Sequence, residues 1–396
     1  MPTLDVTFVL PCLNEAQALP AAVAMAREAL ALLAGKGFSG EIIVSDNGST
    51  DGSPLLAASL GCRVAHCPQR GYGSALRYGI EAASGTYVVM GDADASYDFR
   101  EAVPMVEKLA QGCDLCMGSR FKGGIEAGAM PWKNRHIGNP ALTGILNLFF
   151  RTGCSDAHCG LRAFTRQAYE RMHLTSTGME FASEMVVKAA LLRLRVAETP
   201  VTLHKDARGR PPHLNPWRDG WRHLKFLLLY SPLWLFFLPA VASILFGCGI
   251  LAVLLTTPPG QDFRFGPFWM GDHWLVIGTS AITIGYYLGI LGVAALAYHA
   301  NQTFMPQSRW VYRLTRFVTV ENMCLIGGGL CLVGLAILGY VVAIWVSTLA
   351  QGLAMTRVMA LGAMFVTMGI LTFFSGFLFV FFSEPAASGQ TSGRKP

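Results

Sequence analysis

Two carboxylates one residue apart, Asp92 and Asp94, close the stretch Gly85-Thr-Tyr-Val-Val-Met-Gly-Asp-Ala-Asp94. Side chains that near repel each other unless a cation lies between them, and an all-oxygen site suits Mg²⁺ or Mn²⁺ held jointly with substrate phosphates. The same residues have a plainer reading, a solvated acidic turn in which Asp92 or Ser96 caps the next helix. What precedes them decides where they lie. Tyr87–Met90 is short, apolar and rich in β-branched residues between glycines, so it reads as a buried strand of a parallel sheet. The acidic pair then falls at the carboxyl end of that strand, the edge at which open α/β sheets bind ligands.

The elements that must position this pair follow from the pattern upstream and downstream. Residues 3–10 run apolar into Pro11 as a first strand, whose end carries Cys12-Leu-Asn-Glu15, and an alanine-rich helix is expected over 16–33. A second strand over 41–44 ends in Ser45-Asp-Asn-Gly-Ser-Thr-Asp-Gly-Ser53, where Ser53 and Pro54 suit a helix start. A short strand at 62–65, the loop Gln69-Arg-Gly-Tyr-Gly73 and a helix to Ala83 lead to the acidic strand. Another strand, 114–120, runs into Gly118-Ser-Arg-Phe121. Strand alternating with helix predicts a doubly wound α/β layer with its loops at one edge. Gly71-x-Gly73 is no dinucleotide fingerprint, since Leu76 stands where the third glycine belongs. The segment with Gly123, Gly124 and Gly128 has the character of an active-site lid. Residues 137–150 read as a helix on the core or at a membrane surface, and 178–195 as a helix whose Glu180, Glu184 and Lys188 share a solvated face.

Composition adds a second region. Of 396 residues, 52% are hydrophobic and 14% charged, against about 25% charged in soluble chains, so part of the protein belongs in lipid. Four uncharged runs, 233–255, 274–298, 324–346 and 358–382, each exceed the roughly 20 residues a helix needs to cross a bilayer. Residues 1–9 contain an aspartate and no secretory core, so the N-terminal half is expected in the cytoplasm. The ten cysteines are scattered, and Cys113-x-x-Cys116, with no second pair at zinc spacing, reads as strand packing. Ahead of the first apolar run, Lys205, Arg208, Arg210, Arg218, Arg222 and Lys225 interleave with Trp217 and Trp221 against only Asp206 and Asp219. That suits an interfacial helix on an anionic leaflet; nucleic acid is excluded as a partner by the lipid-sized segment that follows. Arg309, Arg313 and Arg316, with Arg394 and Lys395, outweigh the single Arg264 and Arg357 of the other loops. The positive-inside rule therefore puts the N-terminal domain, the middle loop and the tail 384–396 on the cytoplasmic side.

Five motifs in order carry a resemblance. Val9-Leu-Pro-Cys-Leu-Asn-Glu15 resembles V-P-x-x-N-E, Val44-Ser-Asp-Asn-Gly-Ser-Thr-Asp-Gly52 resembles D-D-G-S-T-D-G, and Asp92-Ala-Asp94 resembles D-x-D. Gly118-Ser-Arg-Phe121 and Ser155-Asp-x-x-x-Gly-x-Arg-x-Phe164 complete the set. Together they resemble the family 2 glycosyltransferases of GT-A fold, in the branch of dolichol-phosphate mannose synthases and bacterial polyprenyl-phosphate glycosyltransferases. The resemblance implies an α/β GT-A domain over 1–203, Rossmann-like with a mostly parallel sheet. After it come the basic segment 204–232 and a transmembrane domain of about four helices over 233–383. It implies that Pro11, Leu13, Asn14, Glu15, Asp46 and Asp51 bind the donor nucleotide, and that Asp92 and Asp94 hold Mg²⁺ or Mn²⁺. Asp92, Asp94 and Arg120 are then the catalytic residues.

The implied reaction is an inverting transfer of a hexose from a GDP-mannose or UDP-glucose type donor to a polyprenyl (dolichyl or undecaprenyl) phosphate. Its place is the cytoplasmic face of the inner membrane, and the enzyme has room to be a homo-oligomer. A lipid monophosphate is already anionic, so it needs cations to position it where a hydroxyl would need a general base. Ser119, Arg120, Lys133, Arg135, Arg208 and Arg210 are the candidates for that task. Two departures from the family pattern stand out: Asn47 where a second Asp is common, and Ala95-Ser96 after D-x-D. Two rival readings are a processive polysaccharide synthase, for which Gln307-Ser-Arg-Trp310 is one residue short of Q-x-x-R-W, and a non-catalytic transporter or scaffold.

Overall fold

The acidic strand lies in the middle of a seven-stranded sheet of order β3-β2-β1-β4-β6-β5-β7. The strands are β1 (Val6–Cys12), β2 (Gly40–Asp46), β3 (Arg63–His66), β4 (Tyr87–Met90), β5 (Leu115–Ile125), β6 (Arg162–Thr165) and β7 (Val196–Leu203). β1 to β4 pair in parallel, as do β5 and β7. Only β6 runs against its two neighbours. The sheet is thus mostly parallel, as the motifs imply. The computed structural model describes residues 4–207, 216–258, 261–300, 313–314, 316–348 and 355–383. Arg208, Arg210, residues 307–310 and the charged tail lie outside the described residues.

Among the described residues eight α-helices accompany the sheet: α1 (Leu19–Ala34), α2 (Ser53–Ser59), α3 (Tyr72–Ala82), α4 (Val103–Ala110), α5 (Asn139–Phe150), α6 (Arg166–Met172), α7 (Phe181–Leu191) and α8 (Pro216–Leu229). Strand β1 shows why both faces are covered. Phe8 and Leu10 point into a core with Leu19, Val23 and Met105, whereas Val9 points into another with Leu76, Ile80, Phe181 and Met185. Alternation places successive side chains on opposite faces, so a central strand that is apolar at every position needs helices on each. Phe8 meets Phe99 edge to face, ring centroids 5.8 Å apart. All ten cysteines are free thiols, and Cys116 is buried within β5.

Two expectations fail here. Gly123 and Gly124 are not in a lid but inside β5, which continues along β7 past an irregularity between Ser119 and Gly124. A Cβ on Gly123 would stand 2.2 Å from the Val201 carbonyl oxygen, so its lack of a side chain serves close strand approach. Glu184 and Lys188 do not form a solvated face either. Both are fully buried and paired at 2.7 Å. Glu184 also accepts from the backbone N–H groups of Thr175 and Ser176, and Lys188 donates to the His173 carbonyl at 2.6 Å. Three-to-four spacing identifies a shared helix face but not what covers it.

The chain divides into two compact units, residues 1–230 and 231–396. In the second, α9 (Leu238–Thr256) with the turn 233–237 ahead of it, α10 (Trp274–Ala300), α11 (Val320–Ser347) and α12 (Thr356–Ser383) include four segments long and apolar enough to cross a membrane. A wide π turn, Leu233–Phe237, precedes α9, with the Leu238 N–H donating back to the Leu233 carbonyl. The cause is Pro239, which has no N–H for the Leu235 carbonyl and whose ring crowds the preceding turn. The same device recurs before α5, where the π turn Asn134–Gly138 precedes Pro140. Helices α11 and α12 approach through glycines: a Cβ on Gly327 would stand 2.7 Å from the Gly369 carbonyl oxygen, and the converse distance is the same. Small residues let apolar helices pack where no hydrophobic drive separates them from lipid.

Arg357, in the first turn of α12, ties three helix ends together. Its Nε donates to Asp272 at 2.7 Å, just ahead of α10, and its Nη1 donates to the Leu254 and Thr257 carbonyls at the end of α9. Arg357→Met leaves those carbonyls without their partner, at about 1–3 kcal/mol each where no water replaces it. The expected result is a lowered thermal midpoint of the full chain in detergent.

Candidate active site

The loops after β1 and β2 brace each other. Asn14, at φ 57°, accepts from the Thr50 N–H at 2.7 Å and donates its own N–H to Ser49 Oγ at 2.9 Å. Asp51 accepts from the Ala16 N–H at 2.9 Å and the Ser53 N–H at 3.0 Å. Burial pushes the pKa of Asp51 up, but these hydrogen bonds outweigh it and hold the carboxyl below its usual range. Asp46 closes its own turn, accepting from the N–H groups of Ser49 at 3.1 Å and Gly48 at 3.2 Å. The Glu15 N–H donates to Ser53 Oγ at 3.0 Å, which fixes where that carboxylate stands.

Asn47 explains one departure from the family pattern. Its Nδ2 donates to the Gln69 carbonyl at 2.8 Å while its Oδ1 accepts from the Gly71 N–H at 2.7 Å, so it clamps the loop ahead of α3. A carboxylate there can accept but cannot donate. Asn47→Asp is therefore expected to cost about 1–3 kcal/mol and to loosen the loop. A lower thermal midpoint of the full chain is the check.

At the carboxyl ends of β1, β2 and β4 lies a cavity of about 380 Å³. It is lined by Pro11 near the end of β1 and Leu13 and Glu15 after it, by Asn47 after β2, by Arg70, Gly71 and Tyr72 at the head of α3, and by Asp92 and Asp94 after β4. Arg218 and Arg222 of α8 line it as well. Asp94 is buried, and its Oδ1 accepts from the Ser96 N–H at 3.0 Å across Ala95, which sits at φ 59°. Asp92 accepts from the Tyr72 hydroxyl at 2.9 Å. Burial, then the charge of Asp92, push the Tyr72 pKa well above 10, so the phenol stays a donor.

The two remaining motifs, 118–121 and 155–164, approach the acidic pair through Gly160. Gly160 faces Asp92: a Cβ there would stand 2.8 Å from Oδ2, so the motif glycine makes room for the carboxylate. Arg162 is fully buried and donates to the carbonyls of Ala157, Cys159 and Ala182, holding the loop in shape. Arg120 forms a two-armed pair with Asp156, Nε and Nη2 each 2.7 Å from a carboxylate oxygen, and its backbone N–H donates to the same group. Ser119 is buried with its Oγ 2.6 Å from Ser155 Oγ, and Ser155 in turn donates to Glu198. Lys133 and Arg135 are exposed on the turn ahead of α5, among the exposed Trp132 and Ile137.

Of the residues expected from the motifs, Pro11, Leu13, Glu15, Asp92 and Asp94 thus meet at one cavity, while Asn14, Asp46 and Asp51 shape the loops behind it. Ser119, Arg120, Lys133 and Arg135 are not among its lining residues. Arg70, Tyr72, Arg218 and Arg222 were not singled out from the motifs. The signal for the last two was present, a four-residue spacing in α8 that differs in phase from His223 and Leu227, the buried pair. His223 anchors α8, its Nδ1 2.8 Å from Ser183 Oγ on α7 and its ring 4.9 Å from that of His158. Burial and then the neighbouring His223 push His158 well below the usual histidine value, so it stays neutral.

The cavity offers hard oxygen ligands. Among the described residues no three His, Cys, Asp or Glu side chains converge to hold a metal unaided. Asp92 and Asp94 fit an ion of the Mg²⁺ kind, which keeps water and takes substrate phosphate oxygens alongside one or two carboxylates.

Comparison with known proteins gives matches along nearly the whole chain. A model described as glycosyl transferase family 2 matches residues 7–172, and one described as the glycosyltransferase family 2 C-terminal transmembrane region matches 293–383. A low-salt glycan biosynthesis hexosyltransferase of Haloferax volcanii is 34% identical over 380 residues, 95% of this chain and 88% of that protein. A dolichyl-phosphate hexose transferase of the same organism is 27% identical over 179 residues, 45% of this chain and 75% of its own. Glucosyl-3-phosphoglycerate synthase from Mycobacterium tuberculosis, in complex with Mn²⁺ and uridine-diphosphate-glucose, aligns at 23% identity and a TM-score of 0.44. That alignment covers 58% of this chain and 79% of that one.

Proposed function

The chain belongs to glycosyl transferase family 2 and is a glycosyltransferase, and from that premise we propose that it transfers a hexose from a nucleotide-sugar to a polyprenyl phosphate at the cytoplasmic face of a membrane. One observation carries the reading: the acidic pair Asp92 and Asp94 shares its cavity with arginines of a helix that ends at Leu229, just ahead of the apolar segment starting at Leu233. The dolichyl-phosphate hexose transferase among its relatives supports the same acceptor class.

In this reading Glu15 accepts from the nucleoside, with Asp46 and Asp51 holding its loop. Asp92 and Asp94 would hold a divalent ion, which as a Lewis acid would supply charge neutralisation for the departing diphosphate. Tyr72 fixes the orientation of Asp92 by its hydrogen bond. An oxygen of the lipid phosphate forms the new bond to the anomeric carbon as the bond to the nucleoside diphosphate breaks. No general base is needed, because the nucleophile is already an anion, and a single displacement inverts the anomeric centre.

The test uses the purified full chain with Mg²⁺ or Mn²⁺, labelled UDP-glucose and GDP-mannose, and polyprenyl phosphate. A lipid-linked monosaccharide is expected. A polymer would favour the processive reading, and no lipid-linked sugar from any common donor sinks the proposal.

A further inference from the structure

We infer that Arg218 and Arg222 receive the phosphate of the lipid acceptor, an assignment that rests on the acceptor class proposed above. An attacking phosphate must reach the anomeric carbon whose leaving diphosphate is held at Asp92 and Asp94, so its cations have to line the same cavity. Of the candidate cations named from the sequence, the described ones do not; Arg208 and Arg210 lie outside the described residues. Arg120 is 7% exposed and gives both arms of its guanidinium to Asp156, and Lys133 and Arg135 are absent from the lining.

Arg70, Arg218 and Arg222 do line it, and they divide by element. Arg70 belongs to the loop that Asn47 ties to the end of β2 and lies beside Gly48, on the side of the nucleotide loops. Arg218 and Arg222 stand one turn apart on α8, so they share a face. His223 and Leu227 bury another face against α7 and its core. Trp221, 62% exposed, and the exposed Lys225 lie away from that core.

A helix that brings a guanidinium pair to the reaction cavity, exposes an indole and continues into an apolar run fits a ligand with an anionic head and a hydrocarbon tail. A nucleotide would gain nothing from the last two features. Guanidinium groups suit the head because they hold phosphate oxygens two at a time. The exposed setting of both arginines also suits a lipid that must enter and leave.

The experiment measures KM for each substrate separately, with the full chain in phosphatidylethanolamine–phosphatidylglycerol vesicles, undecaprenyl phosphate as acceptor and the donor that the wild type uses. Arg218→Gln and Arg222→Gln are each expected to raise the acceptor KM about 10- to 100-fold, with donor KM within about twofold and partial recovery in the Lys variants. A control by thermal shift with nucleoside diphosphate and Mn²⁺ reports whether the domain stays folded; Arg222→Lys serves if the Gln variant does not. A rise in donor KM instead, or no change in either, overturns the assignment. Failure of the wild type to make lipid-linked sugar overturns the reading beneath it, a separate outcome.

Discussion

Asp94→Asn lowers turnover by about a thousandfold or more while leaving the fold intact; that is the expected result, with the magnitude set by the loss of electrostatic stabilisation at a leaving group in an enclosed site. The substitution is isosteric and removes the charge. Asp94 is 3% exposed, its Oδ1 accepts from the Ser96 N–H, and its backbone carbonyl accepts from the Ala207 N–H. Asn keeps an oxygen for the first of these contacts and leaves the second untouched. What it loses is the negative charge with which a divalent ion would pair. Asp92→Asn keeps the Tyr72 hydrogen bond if its amide oxygen takes the place of Oδ1, and it too loses charge. Three measurements check the prediction: transfer of labelled sugar, Mn²⁺ affinity by titration calorimetry, and thermal midpoint without metal. Lost turnover and Mn²⁺ binding with an unchanged midpoint is the expected pattern. Turnover within tenfold of wild type would remove Asp94 from the chemistry.

How far the sequence reaches is seen in particular residues. β4 spans Tyr87–Met90 as its apolar run between glycines indicates, and a strand whose two faces are both buried needs no alternation to be recognised. The antiparallel strand β6 had no such signal. Arg162–Thr165 is four residues long and contains a fully buried arginine, satisfied by the nearby carbonyls of Ala157 and Cys159 and by that of Ala182, twenty residues on in α7. β7 carries Glu198 and Pro200, which local propensity counts against a strand, yet Glu198 accepts from Ser155 and Lys122. Long-range polar pairing wins over propensity in both.

The site divides the same way. The motifs located the acidic edge because metal-type carboxylates keep fixed spacing at strand ends. They could not tell that Arg120 faces Asp156, or that Arg218 and Arg222 face the cavity, because which way a side chain turns depends on what packs around its element. The buried Glu184–Lys188 pair teaches the same point. An i, i+4 pair reads alike on a wet face and inside a core; its burial is set by the 175–178 loop, which packs against Gly71 and Gly73 so closely that a Cβ on either would stand within 2.5 Å of a carbonyl oxygen.

The second large effect falls on stability. Asp156→Leu is expected to destabilise the catalytic unit by about 3–5 kcal/mol, because it leaves the Arg120 guanidinium buried without its partner. Asp156 is fully buried, and it takes three hydrogen bonds from Arg120, two from the guanidinium and one from the backbone. The double substitution Arg120→Met with Asp156→Leu removes both charges and is expected to recover much of the loss, as replacing a buried pair by apolar groups costs less than breaking it.

Acid reports on the same pair. Burial pushes the Asp156 pKa up, but the Arg120 hydrogen bond and charge outweigh it and hold the carboxyl below its ordinary value. A depressed carboxylate pKa contributes stability that is present above the unfolded value of about 3.9 and is lost as pH falls through the lower folded value. Thermal midpoints of the full chain in detergent from neutral pH down to about pH 3 should therefore fall less steeply in the double variant than in the wild type. Equal slopes, or a double variant no more stable than Asp156→Leu, would mean that the pair is not what holds the loop. Gly160, four residues on, shares that loop and lies against Asp92, so the single variant should also lose turnover at temperatures where it is still folded. The motif would then act on the chemistry by fixing the wall against which the metal-type carboxylate rests, and Arg120 would need no contact with substrate to matter.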